Sequence, residues 1–333
     1  MNEEKALNIH KRAIIIDCLA AVERPPERPD YLEETRLAGV TAINASIVGD
    51  DRPGFRETID RISSWYQGFR KYTNIIMAAT RTSDIETAKS ENKVAVVLGL
   101  QSTKCLENNL DLLDIFYNLG VRIIQLTYQR KCWVGNGCGE RTDDGLSKFG
   151  IEVVRRMNEL GILVDLSHCG SKTTMEAIKF SEKPVAFTHS NPRALRDTVR
   201  NKTDEQIKML AGKGGVMGLN VFAPFCKGGP SATLDDFIDM IDYLVNLVGV
   251  DHIGLGFDYF PFMSKEQFAV WKANNPEIGK GVDYETKHLK QLESIHFLPE
   301  LTKGLVRRGY SEKEIEKILG QNFLNLLKEV WRE

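Results

Sequence analysis

Several features are scarce or missing in this chain of 333 residues. It has six cysteines, at 18, 105, 132, 138, 169 and 226, with no CxxC pair among them. So dispersed a set in a long chain argues against a disulfide framework, and a structural zinc site is not expected at Cys132 and Cys138, which share one Gly-rich loop without a second pair nearby. No apolar run approaches the ~18 residues of a membrane span, and the charged start MNEEKALNIHKRAIIID carries no readable signal peptide. A soluble, cytoplasmic protein is expected. One-signed charge is also missing: 44 Lys and Arg against 46 Asp and Glu give a net charge of −2, so no field favours nucleic acid or an anionic membrane. Finally, there is no GxGxxG and no P-loop. The first apolar strand runs into CLAAVERPPERPD, which removes the phosphate turn expected of a doubly wound nucleotide-binding sheet.

What is present is an alternation. Eight short runs are almost continuously apolar: 13–19, 39–46, 94–100, 121–127, 162–167, 184–189, 214–220 and 252–258. Strands buried on both faces read this way. Between them lie helix patterns, among them 106–120, 149–161 and 233–249. Repeated strand–helix order implies parallel strands with right-handed crossovers, and eight units in about 250 residues match a closed (β/α)8 TIM barrel. Residues 259–298 are predicted to form a long loop over the rim, and the C-terminal stretch two helices, with a capping box at Ser311 and Glu314. One domain over 1–333 is expected.

Chemistry in such a barrel collects where strands hand over to loops at the C-terminal rim. Two histidines close adjacent strands there: His168 ends ILVDLSH and His189 ends PVAFTH. Two imidazoles at equivalent positions suit a shared metal ion or a shared substrate. Asp258 ends the eighth strand, where a carboxylate suits moving a proton from an attacking water to a leaving amine. Arg200, with Arg193 and Arg196 as competitors, is a candidate fork for a substrate carboxylate. Gln101 and Tyr128 end the third and fourth of the eight strands, the first as a hydrogen-bonding group, the second as a donor to a developing oxyanion. Cys18 reads as a packed thiol.

The stretches LGVRIIQLTY, LSKFGIEVVRRMNELGILVDLSH, PVAFTHSNPRAL, RNKTDEQI and DHIGLGFD, with the closing LVRRGYSEKEIEKILGQNFL, resemble the membrane (renal) dipeptidase family of the metal-dependent hydrolase superfamily, in order and from residue 94 onward. The resemblance implies a (β/α)8 barrel, hydrolysis of dipeptides and related amides, two zinc ions at the mouth and a homodimer. It places His168 and His189 on two zinc ligands, Asp258 on the catalytic carboxylate and Arg200 on the arginine for the substrate's carboxylate. The family's His-x-Asp pair on the first strand falls on Leu19 and Ala21, its bridging glutamate on Gln101, and its transition-state histidine on Tyr128. A two-metal site is therefore not expected, and one divalent ion, zinc, on His168 and His189 is the most the donors suit. The expected function is a dipeptidase-like hydrolase of a small amide with a free carboxylate, the metal site holding one ion or none. The alternatives are a metal-free lyase or isomerase of a small carboxylate, and a non-catalytic protein that binds a small acid.

Overall fold

The computed structural model describes residues 2–22, 24, 29–48, 54–260, 263–276 and 282–332. Nine parallel strands form one sheet: β1 (Ile16–Ala20), β2 (Ala42–Val48), β3 (Ile76–Ala78), β4 (Val94–Leu100), β5 (Val121–Gln125), β6 (Leu163–Asp165), β7 (Ala186–Phe187), β8 (Val216–Leu219) and β9 (Ile253–Leu255). The order β2-β1-β9-β8-β7-β6-β5-β4 closes on itself because β2 also pairs with β4, from Ala42↔Ala95 to Val48↔Leu100. The result is a closed eight-stranded parallel barrel ringed by helices, as the sequence pattern predicts. The ninth strand, β3, falls outside the eight predicted runs. It pairs beside Val94–Val96 of β4, while β5 pairs with Leu98–Leu100 of the same strand.

Outward side chains such as Ile43, Val96, Ile124, Val164 and Leu255 join helix residues in the larger core. Inward side chains divide by height. At the lower end Ile16, Ala42, Ala95, Ile123, Leu163, Ala186 and Val216 pack on Phe323, Leu324 and Leu327 of the C-terminal helix Asn322–Val330. Small residues on the strands leave room for that plug. A Cβ on Gly254 would lie 2.4 Å from the Phe323 ring, so this position needs glycine. With the lower end sealed by this plug, Asp165, His168 and His189 lie toward the opposite end of the strands.

Local signals explain most helix ends. Ser147 caps Lys148–Leu160 and Gly161 closes it in the left-handed region (φ 79°). Thr233 opens Leu234–Val248 with a capping box, and Ser311 with Glu314 forms the box predicted there. The helix predicted from 106 starts later, at Leu112, because Glu107 and Asn108 sit at φ 47° and 61°, where no helix continues. The predicted loop 259–298 contains a helix, Lys265–Asn274. Its Phe268 and Trp271 pack with Phe222, Phe225, Phe260 and Tyr284 in a separate apolar cluster. Arg130, from the segment after β5, donates to Asn274 O at 3.1 Å and ties this helix to that segment. Residues 261–262 and 277–281 of the predicted loop lie outside the described residues. The C-terminal stretch forms helices Leu298–Arg308, Glu312–Glu316 and Asn322–Val330, the last two joined through Lys317–Gln321.

Candidate active site

β6 and β7 end side by side, with Asp165 paired to Ala186. Their continuations bring His168 and His189 together: the two Nε2 atoms lie 2.9 Å apart. Both residues are buried, His168 at 4% and His189 at 0% exposure. Tyr128, half-buried after β5, stacks on His168 with ring centroids 4.3 Å apart and planes 22° apart.

Behind His189 runs a chain of hydrogen bonds. Its Nδ1 is 2.7 Å from Thr188 Oγ1, which donates to Asp165 Oδ2 at 2.7 Å. Asp165 Oδ1 accepts from Ser167 N, Ser167 Oγ and Thr188 N at 2.9, 2.6 and 3.1 Å. A carboxylate with this many donors is fixed in place, and it fixes the loops that carry both histidines. Sequence reasoning passed over Asp165 and Thr188. Their signal was an aspartate inside an apolar strand and a hydroxyl directly before a histidine.

Arg200 differs from the open fork expected of it. It has no exposed surface, and its guanidinium donates to Ser167 O at 2.5 Å, Ser190 Oγ at 2.9 Å and His189 O at 2.6 Å. It clamps the two histidine loops from below. Its Nε is the guanidinium nitrogen left without a partner. Of its competitors, Arg193 pairs with Asp197 at the surface and Arg196 donates to Pro224 O. Lys202, also buried, donates to Leu166 O at 2.8 Å and Cys169 O at 3.1 Å, and burial lowers its pKa to about 8. Burial first, then the charge of Arg200, hold both histidines well below the usual imidazole range, so the pair is neutral at pH 7.

Asp258 follows β9 in the left-handed region (φ 60°), its N–H donating to Leu19 O at 3.0 Å. Asp17 builds that turn: its Oδ1 accepts from Phe257 N at 2.8 Å and from Leu19 N at 3.2 Å. Burial raises the Asp258 carboxyl to about 7; Arg200 pulls it down and Asp165 pushes it up. Burial likewise raises Asp17 to about 7, and its Oδ2 has no partner. Gln101 turns to β2, donating from Nε2 to Ser46 Oγ at 2.7 Å, and its backbone carbonyl accepts from Gln125 Nε2. Cys18 is packed, and burial carries its thiol well above the usual range. Cys132 and Cys138 do not pair with each other: Cys132 Sγ faces Leu126 O and Cys138 Sγ faces Gln129 Oε1.

The donor set does not fit a dimetal centre. Among the described residues, no group of three or more His, Cys, Asp or Glu is placed to hold a metal ion. Buried Leu19 and Ala20 occupy the end of β1, Ala21 follows, and Gln101 offers an amide, not a carboxylate.

Comparison with known proteins agrees with this architecture. The family model of the membrane dipeptidases, peptidase family M19, matches residues 31–275 and 267–332. Dipeptidase tcpJ of Claviceps purpurea is 29% identical over 279 residues, covering 83% of this chain and 60% of its own length. An uncharacterized dipeptidase, C965.12, of Schizosaccharomyces pombe is 30% identical over 281 residues, covering 82% and 62%. The chain therefore spans about three fifths of the length of these curated relatives. A crystal structure of an amidohydrolase from Pseudomonas aeruginosa superposes with a TM-score of 0.90 and 34% identity, over 98% of this chain and 99% of that one. The chain belongs to the membrane dipeptidase family, peptidase family M19.

Proposed function

We propose that this chain hydrolyses the amide bond of a small substrate, a dipeptide or a modified amino acid, at the upper mouth of its barrel. Family membership supports the reaction class. The observation that carries it here is Asp258, a carboxyl presented in a left-handed turn at the rim with its pKa raised to about 7. At neutral pH about half of such a group is ionised, which suits it both to take a proton from water and to return one. In the proposed step the Asp258 carboxylate accepts a proton as water oxygen bonds to the carbonyl carbon. The C–N bond then breaks as Asp258 delivers that proton to the departing nitrogen. Tyr128 Oη donates to the oxyanion, and Gln101 hydrogen-bonds the substrate. The substrate's free carboxylate is drawn by the charges of Arg200 and Lys202, which act from beneath the surface because both side chains are buried.

On the metal, the donor set supports at most one ion, on His168 and His189. Two divalent ions ~3.5 Å apart repel by about 19 kcal/mol even at an effective dielectric of ~20, and carboxylates between them must offset that. We infer a cytoplasmic setting from the dispersed cysteine pattern of the sequence; separately, no helix among the described residues is long and apolar enough to cross a membrane. We infer a homodimer from the family resemblance; sedimentation equilibrium at a monomer's mass overturns it.

The test is a panel of dipeptides and N-acyl amino acids incubated with the purified protein, with products identified by mass spectrometry. A paired amine and carboxylic acid from at least one substrate is expected, and Asp258→Asn should slow its release by about a hundredfold or more. If no amide in the panel is cleaved, or if Asp258→Asn is as active as the parent, the proposal fails.

A further inference from the structure

The place where this family's resemblance implies a metal is taken up here by a hydrogen bond. His168 and His189 point Nε2 at Nε2 across 2.9 Å. Two imidazoles sharing one tetrahedral zinc at ~2.1 Å each would hold those nitrogens about 3.4 Å apart, with both lone pairs directed at the ion. At 2.9 Å one of the nitrogens carries a proton and the other accepts it.

Accounting for donors decides which. Asp165 Oδ2 takes the Thr188 hydroxyl proton at 2.7 Å, leaving Thr188 Oγ1 as the acceptor for His189 Nδ1–H, also at 2.7 Å. His189 Nε2 is then a lone pair, and His168 Nε2–H donates to it. The one group left over is His168 Nδ1, buried and without a partner. In this arrangement it is an acceptor. If His168 instead turned its Nε2 lone pair toward a metal, its proton would move to Nδ1 and leave a buried N–H with nothing to bond. Buried orphan donors are rarer and costlier than orphan acceptors. The hydrogen bond therefore satisfies this pocket better than an ion does, and among the described residues no third His, Cys, Asp or Glu completes a metal-holding group with the pair.

We propose that the mouth of this barrel works without a metal ion, with His168 and His189 sharing one proton as a neutral dyad oriented by Thr188 and Asp165. This rests on the amide-hydrolase reading above for its catalytic meaning, not for its geometry. Water activation then falls to Asp258 alone, and the oxyanion is met by the Tyr128 hydroxyl. The dyad is a positioning device. It holds the His168 ring under Tyr128 (centroids 4.3 Å apart) and thereby orients the tyrosine.

The experiment uses the full chain with ¹⁵N-labelled histidine, near neutral pH, in metal-free buffer and then in excess zinc. Expected imidazole signals are one Nδ1–H tautomer and one Nε2–H tautomer coupled through the shared proton, unmoved by zinc. After desalting, fewer than about 0.1 zinc per chain should remain. Retention of one or more zinc ions per chain, or movement of both Nε2 signals on adding zinc, overturns the proposal. Turnover is read separately. Hydrolysis should keep its rate in a strong chelator, and a loss of about tenfold or more that zinc restores also overturns it. If no amide is hydrolysed in either buffer while zinc is not retained and the tautomers stand, the dyad is supported and the amide-hydrolase reading is what fails.

Discussion

Thr188→Val removes one oxygen from the middle of the site and keeps the shape. In the native fold that oxygen donates to Asp165 Oδ2 at 2.7 Å, faces His189 Nδ1 at 2.7 Å, and lies 3.2 Å from Ser167 Oγ. Asp165 keeps its Oδ1 donors in the variant, because Ser167 N, Ser167 Oγ and Thr188 N are untouched. Its Oδ2 loses this donor, and His189 Nδ1 is 4.0 Å away, too far to replace it. One buried carboxylate oxygen and one buried imidazole N–H are left unsatisfied. The first costs about 2–3 kcal/mol and the second about 1–2, so destabilisation of about 3–5 kcal/mol is expected. For a chain of this size that lowers the melting temperature by roughly 4–7 °C. Thr188→Ser keeps the oxygen and gives up one methyl, for a loss of about 1 kcal/mol. Denaturant unfolding followed by far-UV circular dichroism measures both. A valine variant within 1 kcal/mol of the parent, or a serine variant as weak as valine, would show that the Asp165–Thr188–His189 chain does not hold the site.

Three further outcomes follow. The hydrolysis rate should rise with pH through a limb near 7 as Asp258 loses its proton, and Arg200→Met should move that limb upward, since Arg200 is the charge that pulls the group down; a limb that stays in place separates Arg200 from the acid–base group. Stability should fall on the acid side. His168, His189 and His288, whose folded pKa values are depressed, lend stability present above about 6.5 and lost as pH falls. Asp17 and Asp258, raised to about 7, do the reverse: their contribution is full below about 4 and fades as pH rises through 7. Three groups against two leave about one extra proton bound by the unfolded chain between pH 6 and 4, or about 1.4 kcal/mol lost per pH unit, with His10 adding in the same direction; unfolding free energies that rise as pH drops through that window contradict the assignment. Phe323→Ala should cost about 3–5 kcal/mol, because it empties the plug beneath Gly254; a loss under 1 kcal/mol would mean that the lower end of the barrel is not sealed by this ring.

The barrel was legible because its signal is redundant. Eight runs such as VAVVLGL and GVMGLN are too apolar to face water on either side, and helix patterns lie between them. The ninth strand was missed because IMA, at 76–78, is three residues long and only partly buried, with burial falling from Ile76 to Ala78. The late start of the helix at Leu112 was missed because left-handed conformations at Glu107 and Asn108 leave no mark in apolar spacing.

At the rim, the sequence placed residues by height along the strand but not by direction. His168, His189 and Tyr128 converge as expected, because each ends a neighbouring strand. Arg200 lies on the segment after β7, where a long side chain reaches outward to a ligand or inward to the backbone with equal ease, and no spacing rule distinguishes the two. The deciding fact is the set of acceptors: Ser167 O, Ser190 Oγ and His189 O all need a donor, and one guanidinium serves all three. The same logic makes Asp165 readable in hindsight. A carboxylate in a strand buried on both faces must be met by several donors or be lost to burial, and the hydroxyls that meet it, Ser167 and Thr188, stand beside the two histidines in sequence. An acidic residue inside an apolar strand, two or three positions before a rim histidine, is thus a sign that the histidine's tautomer is held from behind.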